Sequence, residues 1–204
     1  VSPTPTPQQQ RSRETRRSLL DAALTILTRE GLRGTSVSAV AAEAGVSRGA
    51  AQHHFPTRDA LIEATVTQFY ADLTQQLRTA VAQLPPGPGG APVSDVVTLV
   101  VESFSSGSFR AALHVWSAAA GPEGELRDLI VAADTRFARE VYQLLAITLD
   151  ADLTDRHTRR LLRTTIDLAR GLGLGAVLVD NTEHRVTTTA TWTAILDAGI
   201  TRNG

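Results

Sequence analysis

The sequence predicts an all-α protein, with an N-terminal three-helix domain containing a helix-turn-helix and a larger helical body behind it. Three observations predict this. Apolar residues recur at helical spacing along most of the chain. The small-residue run AAEAGVSRGAAQHHF (residues 41–55) sets a glycine between two short helical stretches, each preceded by a serine. The Pro/Gly block PPGPGGAP (residues 85–92) punctuates the pattern as an exposed loop.

Taken in order, residues 1–10 (VSPTPTPQQQ) read as a disordered tail, without the basic start and apolar run of a signal peptide. RSRETRRSLLDAALTILTREG follows, with Leu19, Leu20, Ala23, Leu24, Ile26 and Leu27 on one helical face and Gly31 as a stop. Arg11, Arg13, Arg16 and Arg17 fall at or before its expected start, where the helix dipole disfavours positive charge and invites an external anion. Ser36 is placed to cap a helix to about Ala44, and Ser47 one from Arg48 to His54. Leu61, Ile62, Val66, Phe69, Leu73, Leu77 and Val81 mark a long fourth helix.

Beyond the loop, residues 93–106 and 108–119 read as shorter helices. Leu126, Ile130, Ala133, Phe137, Val141, Leu144 and Thr148 trace a long one from Glu123. Thr154 is placed to cap the next, which buries Leu161, Leu162, Thr165, Leu168, Ala169 and Leu172. The last segment, RVTTTATWTAILDAGI, alternates like a strand, but nothing else offers it a partner, so it is assigned as helix.

Composition narrows the chemistry. With 204 residues, 42% hydrophobic, the chain can bury a core, and it has no apolar run of 18 residues to span a membrane. Absence of cysteine removes disulfide and thiolate chemistry and makes a cytoplasmic location the default. All 20 basic residues are arginine, which removes Schiff-base chemistry and a P-loop lysine. Residues 1–60 carry eight arginines against five acidic residues, and residues 61–204 carry twelve against sixteen, so a basic front end precedes an acidic body. Such a front end suits a polyanion.

The glycine turn at Gly45 makes residues 37–54 a helix-turn-helix, with Ala41, Val46 and Ala51 filling the angle. Its second helix projects Arg48, Gly49, Gln52 and His53 outward, a length and face suited to a major groove. Arg48 can grip guanine in bidentate fashion, Gln52 can read adenine or hold a phosphate, and Gly49 leaves room for close approach. Thr35 and Ser36 offer hydroxyl and backbone N–H groups to phosphate. His53-His54 is not spaced as a metal pair, since adjacent helical residues point about 100° apart.

Residues 11–70 resemble the DNA-binding domain of the TetR family of bacterial transcriptional regulators. The resemblance rests on the Ala-Ala of the first helix, Gly31, Thr35-Ser36-Val37, Ala44-Gly45-Val46-Ser47, His54-Phe55 and Arg58-Asp59-Ala60-Leu61. It implies residues 11–57 as a DNA-binding domain and residues 58–204 as an effector-binding and dimerisation domain, joined by the fourth helix as a lever. It also implies a homodimer on pseudo-palindromic double-stranded operator DNA, acting as a repressor, the commoner outcome in the family, and released by a small apolar effector, with no cofactor, metal or membrane partner and no catalytic residue. In the family pattern His54 packs at the end of the recognition helix, Ser47 begins it, and Arg58 replaces a phosphate-binding lysine. Gln52 departs from the usual tyrosine.

The resemblance further implies an apolar effector cavity, for which Phe69, Phe104, Leu113, His114, Trp116, Phe137, Val141, Asp167 and Arg170 are the candidates. It places Leu168, Gly171, Leu172, Gly175, Trp192 and Ile195 in a four-helix dimer interface. Gly171 and Gly175 belong to GLGLGAV, which has no preceding strand and so is read as a packing surface rather than a dinucleotide loop. RHTRR (residues 156–160) is read as a solvated face. Two alternatives stand beside this reading: a DNA-binding regulator without a small-molecule effector, and a small helical enzyme.

Overall fold

The computed structural model describes residues 6–87, 89–119 and 124–203. Described residues form helices α1 (Pro7–Gly34), α2 (Val37–Glu43), α3 (Arg48–His54), α4 (Arg58–Val81), α5 (Val93–Phe104), α6 (Gly107–Ala119), α7 (Glu125–Thr148), α8 (Arg156–Leu178) and α9 (Thr182–Gly199). No helix among the described residues is long and apolar enough to cross a membrane.

Local chemistry sets the boundaries. The tail expected over residues 1–10 is partly helix. Thr6 and Gln9 exchange side-chain and backbone hydrogen bonds at 2.9 and 3.3 Å, and Pro7 opens the first turn. Residues 1–5 lie outside the described part. Gly31 interrupts α1 with φ of 70°, a backbone state that glycine reaches without a side-chain clash. Ser36 and Ser47 cap α2 and α3, accepting from the N–H of Ala39 at 3.1 Å and Ala50 at 3.2 Å.

Two expectations are corrected downstream. Asp155, not Thr154, caps α8, accepting from the Thr158 N–H at 2.7 Å, while the Thr154 hydroxyl donates to Asp152 at 2.7 Å. The strand-like threonines of the last segment sit comfortably in α9. Hydroxyls of Thr187 and Thr191 donate to carbonyls one turn back, each at 3.0 Å, so the alternation has no structural role.

The expected division at residue 58 was drawn by function; compactness divides the chain differently. One unit comprises Val1–Ala71 with Leu113–Ala133, the other Asp72–Ala112 with Asp134–Gly204. In the first unit, Leu19, Leu20, Ala23, Ile26, Val40, Ala41, Ala51, Phe55 and Leu61 form the core of α1–α3 and the start of α4. Trp116 Nε1 donates to Tyr70 Oη at 2.8 Å, which ties part of α6 to part of α4 within that unit.

In the second unit, α5 buries Val93, Val96, Val97, Val100, Val101 and Phe104 and packs on α8 and α9. The two backbones come close at Gly173, where a Cβ would lie 1.9 Å from the Phe104 carbonyl oxygen. Close packing of α5 on α8 therefore depends on Gly173, a glycine of GLGLGAV that the sequence reading did not single out. Gly171 has open space around it.

Candidate nucleic-acid interface

The site is built on α2, a turn and α3. Gly45 adopts φ of 65°, and the Val46 N–H returns to the Ala41 carbonyl at 2.9 Å, closing the turn. Ala51, 1% exposed, anchors the inner face of α3 in the core. Helical spacing then turns Arg48, Gly49, Gln52 and His53 to solvent. Neither Arg48 nor Gln52 has a hydrogen-bond or ion-pair partner among the described residues. Nothing lies within 4 Å of where a Cβ on Gly49 would stand, so no internal packing calls for glycine there.

The other end of α3 is aromatic. The His53 and His54 rings meet edge to face with centroids 5.7 Å apart, and the Arg16 guanidinium lies 5.3 Å from the centre of the Phe55 ring. Burial, then the neighbouring His53 and Arg16, hold His54 below the usual histidine range, which favours a neutral ring. No group of three His, Asp or Glu side chains suited to a metal ion occurs among the described residues.

Thr35, the arginines of α1 and Arg58 change meaning as anion contacts. Thr35 is only 1% exposed. Its hydroxyl donates to the Gly31 carbonyl at 3.0 Å and its N–H to Leu32 at 3.2 Å, so it closes α1 and offers nothing outward. Because α1 begins at Pro7, Arg11 and Arg16 are exposed beyond its first turn, and the helix-terminus argument for an anion does not apply. Arg17 pairs with Asp21 at 3.1 Å. Arg58 directs Nε to the Thr35 carbonyl at 2.8 Å and Nη2 to the Leu32 carbonyl, satisfying the end of α1. Sequence reasoning missed this clasp because its partners lie 23 and 26 residues upstream. Ser36 and Ser47 remain exposed, their hydroxyls engaged as caps.

The candidate effector residues divide between the two units. Phe69, Leu113, His114 and Trp116 belong to the first, where Phe69 meets Tyr70 edge to face at 5.4 Å and His114 is exposed. Phe104, Phe137, Val141, Asp167 and Arg170 belong to the second. There Phe104 contacts Phe137 at 6.4 Å between centroids, and Arg170 lies over Phe104 at 5.8 Å and 3.4 Å from Asp134. Asp167 faces solvent. Asp134 was not anticipated. The space among α4, α5 and α7 that Val141 lines in this unit is only about 10 Å³.

Of the candidate interface residues, Gly171 and Ile195 are exposed, while Leu168, Gly175 and Trp192 are half-buried. Trp192 Nε1 donates to the buried Thr165 hydroxyl at 2.9 Å. Leu172, 6% exposed, lies in the core of its own chain, as its place on the buried face of the helix predicts, and so offers little surface to a partner. Leu174 and Leu178, 54% and 83% exposed, are the outward leucines of α8.

Residues 19–65 match the family described as "Bacterial regulatory proteins, tetR family". The HTH-type transcriptional regulator CymR of Pseudomonas putida is 41% identical over 86 residues, covering 42% of each chain. The chain spans less than half the length of the first curated relatives it matches. Among solved structures, a candidate transcriptional regulator from Pseudomonas aeruginosa PAO1 superposes with TM-score 0.70 and 24% identity, covering 92% of both chains. The multidrug binding protein EbrR, complexed with imidazole, gives TM-score 0.64 and 21% identity, covering 93% of this chain and 96% of its own.

Proposed function

The chain belongs to the TetR family of bacterial transcriptional regulators through its N-terminal domain, and from that premise we propose that it is a homodimeric, ligand-responsive DNA-binding regulator that represses transcription. The observation that carries this is the outer face of α3. Arg48, Gly49 and Gln52 have no internal duty, and they stand on a helix whose opposite face is locked in the core. A paired copy would present a second α3 to the next major groove of a pseudo-palindromic site. The exposure of Ser36, Ser47, His53, Arg11 and Arg16 supports phosphate contacts from these residues. The exposed α8–α9 surface with Gly171, Leu174, Leu178 and Ile195 supports self-association.

Ligand response is supported by the EbrR complex and by the aromatic groups around Tyr70 and Phe104. An effector would act by preferring the conformation with the wrong separation of the two α3 helices, with α4 as lever. One observation favours the regulator without an effector: the tight filling around Val141, with about 10 Å³ of space.

Binding of the purified chain to DNA from upstream of its own gene, against random DNA at two salt concentrations, tests the reading. A selective complex of two chains per site supports it. Equal affinity for both DNAs defeats the base-reading role.

A further inference from the structure

We propose that the groove between the end of α1 and the starts of α4 and α7, within the first unit, binds a monovalent organic cation with an apolar body. The groove has a volume of about 530 Å³, and its apolar walls come from Leu32, Ile62, Leu126 and Leu129. That volume lies in the range of drug-sized ligand sites. Asp59 and Glu63 line it from one flank of α4. Their i,i+4 spacing places both carboxylates on the same flank of the helix. Neither carboxylate has a hydrogen-bond or ion-pair partner among the described residues.

The basic residue on the wall, Arg58, offsets one of the two charges but forms no ion pair with either carboxylate. Its guanidinium is held by the carbonyl oxygens of Leu32 and Thr35. The groove therefore combines an apolar floor with a net charge of −1 over its lining residues, which complements a monovalent cation that carries its own hydrophobic surface. An anion of the same shape meets repulsion, and a small hydrated cation gains nothing from the leucines. This site is separate from the Phe104–Phe137–Arg170 cluster, and it rests on the groove alone rather than on the DNA-binding reading.

Isothermal titration of the whole chain with tetraphenylphosphonium, and with tetraphenylborate as a shape-matched anion, provides the test. No DNA is present, so failure here leaves the reading of α3 untouched. The phosphonium is expected to bind saturably, one per chain, and the borate not to bind. Asp59→Asn with Glu63→Gln is expected to weaken phosphonium binding by about tenfold, the combined effect of two partly exposed charges, with unchanged helical circular dichroism. Should the double variant lose helicity, Glu63→Gln alone carries the comparison. Equal affinity for both ions, no saturable phosphonium binding, or unchanged affinity in the folded carboxamide variant would each overturn the proposal.

Discussion

Arg48 and Gln52 occupy the first turns of α3 with their polar ends unmatched by any described residue, and Gly49 between them has no neighbour to crowd it. Replacing Arg48 with alanine is therefore expected to leave stability nearly unchanged. It should weaken operator binding by about 1–3 kcal/mol, the cost of one bidentate base contact. Fluorescence anisotropy on operator and random duplexes checks this, since equal losses on both would reduce Arg48 to a phosphate contact. His54 makes a different prediction. Its folded-state pKa lies below the reference of 6.5, so the unfolded chain takes up a proton first as pH falls. Stability should thus be intact above about pH 6.5 and decline from there until the folded ring protonates. Urea midpoints at pH 7.5 and 5.5 should separate less in His54→Gln than in the parent; an unchanged separation would assign the loss to other groups.

At the scale of elements, the junction of α5 with α8 is set by a missing side chain. Gly173→Ala would drive a methyl group into the Phe104 carbonyl, and overpacking of this kind costs about 1–3 kcal/mol. Gly171→Ala, with open space around it, is expected to be neutral or slightly stabilising through helix propensity. Thermal denaturation of the two variants distinguishes them. This pair also shows what the sequence could reveal. Helix period, Ser36, Ser47 and Gly45 are local signals, and the elements they mark are where they were expected. Which glycine of GLGLGAV meets another helix depends on the rotation of α8 about its axis, which no local pattern encodes. The same limit explains Thr35, whose orientation is decided by partners outside its own segment, and the Arg58 clasp. The α3 face was legible because burial of Ala51 fixes what points away from it. The effector candidates were chosen by residue type, and type carries no information on which unit a side chain joins.

For the whole molecule, the test falls on the α8–α9 surface. Leu178 is 83% exposed and Leu174 54% exposed. Leu178→Arg is expected to yield a folded monomer by sedimentation equilibrium, because a buried unpaired charge is strongly disfavoured in an interface core. Operator binding should weaken along with it, since two α3 helices then no longer arrive together. A variant that stays dimeric would move the interface elsewhere.

The clasp at Arg58 has a kinematic consequence. Arg58 is the first residue of α4, while its two acceptors, Leu32 and Thr35, flank the last turn of α1. Thr35 is in turn the residue before the cap of α2. The guanidinium is a rigid plane, so two fixed points of attachment leave little room for one piece to swivel on the other. The start of α4 is thereby geared to the mouth of the helix-turn-helix. A turn of α4 about its own axis is therefore expected to displace Ser36, across only a short linkage in which motion can be lost.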